Sequence, residues 1–195
     1  MIRIITGCVL FFTVTLSSVA QPSNDDCDGA IDLGTVPSCT DSNELSNVSA
    51  TSSIISTSGS DAPPCFNGGQ ADRDVWYSFQ VPNDISNVTI TVQGEADNLE
   101  SILQPQVALY RGVCALNQLN FLACASSQPG ERRSRLDVFN LVGGQRYFLR
   151  VNDYSQSASP NSGSFQICLS EFSSVFTLGS GDEFTEACSG TLGAE

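Results

Sequence analysis

Apolar residues recur at every second position over much of the chain, most clearly in residues 74–81, Asp-Val-Trp-Tyr-Ser-Phe-Gln-Val. Alternation puts Val75, Tyr77, Phe79 and Val81 on one face of a strand and Trp76, Ser78 and Gln80 on the other. Pro82-Asn83-Asp84 is its stop. The same pattern predicts strands at 88–92, 106–110, 121–124, 136–138, 147–151 and 165–169, separated by turn signals such as Arg111-Gly112, Pro129-Gly130 and Gly143-Gly144. Residues 42–60 hold eight serines and two threonines around Ile54-Ile55, which predicts one short edge strand in a polar segment. Helical periodicity never lasts beyond a turn or two. The expected fold is all-β, an antiparallel β-sandwich of about 7–8 strands, jelly-roll-like and stapled by disulfides.

The ends depart from this pattern. Residues 1–20 read as a signal peptide, with Arg3 before an apolar run from Cys8 to Leu16 and small residues at Ser18-Val19-Ala20. No later stretch approaches the roughly 20 apolar residues a membrane helix requires, so no membrane insertion is expected. The sandwich domain is expected over 21–170, and 171–195 reads as an acidic Ser/Gly-rich tail or the truncated start of a further domain.

Charge narrows the chemistry. The chain has no histidine and no lysine, and the 7 arginines beyond Arg3 face 21 acidic residues, a formal charge of −14. A nucleic-acid partner is disfavoured on that balance. Without histidine there is no Ser-His-Asp or Cys-His nucleophile, and without lysine no P-loop and no Schiff base. The chain therefore reads as non-enzymatic. The one catalytic route left open is a carboxylate pair of the glycosidase kind, with Asp72/Asp74 or Asp97/Glu100 as candidates.

Seven cysteines lie beyond the leader, which in an exported protein predicts a disulfide framework with one thiol left over. Of the many pairings seven cysteines allow, the expectation is Cys39 with Cys65, Cys114 with Cys124 across a short hairpin, and Cys27 with Cys168, leaving Cys188 unpaired. No cofactor is required. Calcium is the one candidate, with oxygen donors gathered at Asn24-Asp25-Asp26, Asp72/Asp74 and Asn152-Asp153; turn formation explains these residues equally well. Trp76 and Tyr110 are the candidate ligand-stacking residues, against the alternative that a loop or the disulfides cover Trp76. Arg132, Arg133 and Arg135 form a basic cluster that fits a charged strand edge.

Asp74 to Phe79, Val88-Thr-Ile-Thr-Val92, Val107-Ala-Leu-Tyr110, Leu141 to Val151 and Gly163-Ser-Phe-Gln-Ile167 together resemble, in order, the bacterial pre-peptidase C-terminal (PPC) domain. The opening at Asn24–Cys27 and the cysteines are similar to a cysteine-bearing variant of that module in large secreted proteins. The tail from Ala187 to Leu192 resembles the start of a CUB-like domain. The resemblance implies a secreted, non-catalytic accessory or binding module at or outside the cell surface, with an extracellular polysaccharide or protein as partner. The alternative is a structural or adhesive N-terminal piece of a larger surface protein.

Overall fold

The computed structural model describes residues 20–57, 62–66, 71–95, 100–154 and 162–172. A 3-10 turn at Cys27–Gly29 precedes ten strands: β1 (Ile31–Thr35), β2 (Ser38–Cys39), β3 (Leu45–Ser46), β4 (Val75–Gln80), β5 (Val88–Gln93), β6 (Pro105–Gly112), β7 (Leu119–Ser126), β8 (Arg133–Val138), β9 (Arg146–Asp153) and β10 (Ser164–Glu171). They form two sheets, ordered β1-β4-β9-β6-β7 and β2-β10-β5-β8, with β3 also pairing β10. The chain is thus an all-β sandwich. Leader residues 1–19, tail residues 173–195 and Cys188 lie outside the described residues; Glu171, expected in the tail, ends β10, and Phe172 meets Phe139 edge-on at 5.0 Å.

The alternation read from the sequence sets the register. Val75, Tyr77 and Phe79 of β4 stand beside Val151, Leu149 and Tyr147 of β9, and Val107 and Leu109 of β6 continue the row. These side chains meet Val88, Ile90 and Val92 of β5, Leu136 and Val138 of β8, and Phe165, Ile167 and Leu169 of β10 in one buried cluster. Tyr77 meets Phe165 edge-on at 6.0 Å. Burying each such side chain is worth about 1.5–3 kcal/mol, which makes this cluster the main stabilising element.

Three expectations are corrected. Ile54 and Ile55 form no strand; β3, at Leu45–Ser46, is the strand of that segment. Backbone groups of 51–57 are held by side chains instead, Thr51 by Asp25, Ser53 by Asp74 and Thr57 by Asn117. Pairing between strands is antiparallel except at β1, which lies parallel to β4; the isolated bridge Ser101–Ser164 is also parallel.

The six expected cysteines are all bonded, but with other partners: Cys27–Cys114, Cys39–Cys168 and Cys65–Cys124, at Cα separations of 5.4, 4.1 and 6.1 Å. Cys39 faces Cys168 directly in the β2–β10 register. Cys114 and Cys124 do belong to one hairpin, β6–β7, yet Cys124 lies well along β7 opposite Ala108 while Cys114 lies in the turn. That turn starts at Gly112, φ 135°, where a Cβ would stand 2.2 Å from the Gln118 carbonyl oxygen.

Candidate functional site

The second face of the β4-bearing sheet carries Trp76 and Ser78 of β4, Phe148 and Arg150 of β9, and Gln106, Ala108 and Tyr110 of β6. In a plain sandwich this face meets water. Here three loop segments roof it, and Cys27, Phe66, Ala71, Trp76, Ala108 and Tyr110 make a second buried cluster. Asn24 ties the first segment down: its side-chain amide donates to the Trp76 carbonyl at 3.0 Å, and its own carbonyl accepts the Trp76 N–H at 2.8 Å. Cys27–Cys114 pins the same segment, and Cys65–Cys124 pins the proline-rich one.

Beneath the roof Asp74 and Arg150 are both fully buried and paired in a fork, Nε to Oδ2 at 2.8 Å and Nη2 to Oδ1 at 3.2 Å. Arg150 also donates to the Ser53 carbonyl at 3.1 Å. Asp74 further accepts the Ser53 N–H and hydroxyl and the Trp76 indole N–H. The guanidinium carbon lies 5.5 Å from the centre of the Trp76 ring. This network connects the sheet to the 51–57 segment.

The sequence candidates must be re-assigned on this geometry. Trp76 and Tyr110 share a face, as alternation required, but both are buried, so neither is an open stacking platform. The calcium candidates are used separately. Asp25 accepts the Thr51 N–H and hydroxyl at 2.6 and 2.7 Å, Asp74 is paired with Arg150, Asn152 donates to Gln106 at 3.1 Å, and Asp153 accepts the Leu103 and Gln104 N–H groups at 3.1 and 2.6 Å. Asp26 is exposed and Asp72 half-buried. Among the described residues no three acidic or other ligating side chains gather to hold a metal. The buried ion pair also removes Asp74 from any carboxylate dyad with Asp72, and Asp97 lies outside the described residues.

Two adjoining clefts open along the rim of the roof, with volumes of about 260 and 350 Å³, and share Ile55 and Leu119. The smaller adds Asp26, Asp28, Ile54 and Leu116; the larger adds Pro63, Pro64, Tyr110 and Phe121. Phe121 reaches this face through a register shift. Leu109 faces Ala123 but Tyr110 faces Phe121, so Leu122 is an extra residue in β7 and Phe121 turns to the Tyr110 side. Three rings then run outward from Trp76 to Tyr110 (centroids 5.4 Å apart) to Phe121 (5.9 Å), which is 41% exposed. Sequence reasoning missed Phe121 and Ile54 as site residues. A bulge leaves no mark in apolar alternation, and Ile54, 73% exposed, reads in sequence as part of an edge strand.

Burial pushes the Asp74 carboxyl above its ordinary value against the pull of Arg150 and Ser53, and burial likewise raises Asp153 against the Leu103 and Gln104 N–H donors. For Arg150 burial acts downward, but Asp74 and Tyr110 outweigh it and the guanidinium is held more firmly protonated. Both carboxyls bind protons more readily folded than unfolded. Their contribution to stability is therefore greatest at low pH and is lost as pH rises through the folded values. Asp137 has the opposite sign: burial raises it, but Thr89 and Arg135 prevail and lower it, so its contribution is lost as pH falls below the carboxylate range. The stability difference between the wild type and Asp153→Asn in thermal melts is expected to move in the wild type's favour as pH falls through the carboxylate range; a difference that moves the other way would contradict this.

No protein-family model matches the chain, and no curated protein matches it.

Proposed function

We propose that the chain is a secreted, non-catalytic β-sandwich module that binds a protein ligand in the double cleft beside Phe121. The observation that carries this reading is where apolar surface is left in water. Of the nine large apolar side chains exposed among the described residues, Ile54, Leu116 and Phe121 line the clefts, and Val113 and Leu122 flank them in sequence. Concentrated exposed apolar surface on an otherwise charged protein is characteristic of an interaction site. An exposed aromatic ring backed by buried ones is a typical binding anchor.

Protein is favoured over polysaccharide because the larger cleft is walled mainly by Ile55, Ala62, Pro63, Pro64 and Leu119, with Phe121 as its single exposed ring for a sugar to stack on. Asp26 and Asp28 at one end favour a segment that carries a basic side chain next to apolar ones. Export is supported by the leader pattern and by three disulfides. A non-catalytic role is supported by the lack of histidine and lysine and fits the accessory part that the PPC resemblance implies.

The test is an array of extracellular proteins and glycans probed with the wild type and Phe121→Ala, a change at an exposed ring that leaves both cores intact. Saturable binding to protein, weakened about tenfold or more by Phe121→Ala, is the expected result. Binding to glycans alone, or protein binding indifferent to Phe121, would overturn the reading.

A further inference from the structure

The two sheets have five outer strands among the described residues, because β3 also pairs β10 alone, and four of these are protected against further pairing, β3 by its length of two residues. On β8 the outward side chains are Arg133, Arg135 and Asp137, a charged edge. β2 has only two residues and is bonded to β10 through Cys39–Cys168. β1 is five residues long and broken by a register shift, with Gly34 at φ 83° and Asp32 bound to Arg146. Charge, brevity and irregularity are the usual means of blocking an edge.

β7 lacks charge and brevity. Leu-Asn-Phe-Leu-Ala-Cys-Ala-Ser has eight residues, no charge and no proline, and none of the eight is buried, whereas β6 and β9 each bury six. Among the described strands it pairs with β6 alone, at the end of its sheet. Its one irregularity, the bulge at Leu122, turns Phe121 toward the larger cleft. The open edge and the ligand cleft are therefore continuous through Leu119 and Phe121.

We propose that an extended segment of the protein partner adds to β7 as a sixth strand. Its alternate side chains would enter the cleft over Tyr110 and Phe121, and a basic side chain would lie toward Asp26 and Asp28. This rests on the cleft reading above and specifies how the ligand is held: main-chain hydrogen bonds supply affinity and alternate side chains supply selectivity. A partner of different composition is favoured over a second copy, because a copy brings the same charge of −14 beyond the leader and no lysine.

The probes are synthetic decapeptides in which valine or phenylalanine alternates with threonine and one arginine stands at an end. Fluorescence anisotropy with the full chain should find binding members. N-methylation of the amides along one edge of such a peptide should weaken binding about tenfold or more, and methylation along the other edge should leave it unchanged. Backbone amides of β7 should gain hydrogen-exchange protection on peptide addition. Binding that is lost in Phe121→Ala but tolerates methylation on both edges, with β7 unprotected, overturns strand addition and leaves the cleft reading standing. A peptide set that never binds overturns strand addition. Protection of β7 that grows with protein concentration alone assigns the edge to a second copy and equally overturns it.

Discussion

Arg150→Met is expected to destabilise the domain by about 3–5 kcal/mol, the usual cost of removing one partner from a buried ion pair. For a chain of this size that corresponds to a fall in melting temperature of roughly 6–20 °C. The cost arises because Asp74 would stay buried without its guanidinium. Replacing both partners is expected to cost less than the sum of the single changes, with a coupling of about 0.5–3 kcal/mol. It should not be neutral, because Asp74 also accepts from Trp76 and twice from Ser53; the Ser53 N–H and hydroxyl would lose this acceptor, while the Trp76 indole would keep the Ser53 hydroxyl oxygen at 2.9 Å. Denaturant melts of the two single variants and the double variant measure the coupling; additive losses would mean that the fork is not formed. Arg150 also holds the Ser53 carbonyl. Its loss should therefore loosen Ile54 and Ile55 and weaken ligand binding, although Arg150 lines neither cleft.

The second large effect concerns the disulfides of the roof. Cys65→Ser with Cys124→Ser removes one complete bond and is expected to cost about 2–4 kcal/mol. It should also open the larger cleft, because Pro63 and Pro64 adjoin Cys65 and the Ser126 hydroxyl donates to the Cys65 carbonyl. Cys114→Ser with Cys124→Ser breaks two bonds at once and leaves Cys27 and Cys65 as free thiols. It should be the more destabilising of the two double variants, and thiol titration should show two more reactive groups than in the first. Equal stability and equal thiol counts would contradict the pairing.

The sheets were largely legible in the sequence because their signal is local. Val75, Tyr77 and Phe79 announce a buried face by spacing alone, and the rows at Val88, Ile90 and Val92 and at Phe165, Ile167 and Leu169 do likewise. The separation of Trp76 from that face was equally visible. What covers Trp76 was not, because the roof depends on contacts between residues far apart in sequence: Asn24 with Trp76, Ser53 with Asp74, Asp25 with Thr51. The disulfides failed for the same reason. Proximity in sequence suggested Cys114 with Cys124, whereas strand register placed Cys168 opposite Cys39 and the roof brought Cys27 to Cys114. Arg150 reads in sequence as one more outward residue of an alternating strand; only the covered face makes it a buried partner of Asp74. Two of the acidic candidates for calcium, Asp25 and Asp153, are acceptors for loop N–H and hydroxyl groups, a role that such residues fill equally well.

A roof closed over Trp76 is what shapes both clefts, and two of its fastenings, Cys27–Cys114 and Cys65–Cys124, are covalent. Peptide mapping of the intact, oxidised protein under non-reducing conditions tests it in one experiment. The expected linked peptides are Cys27 with Cys114, Cys39 with Cys168 and Cys65 with Cys124. Recovery of Cys114 linked to Cys124, or of Cys27 linked to Cys168, would leave the roof unpinned and contradict the site built on it.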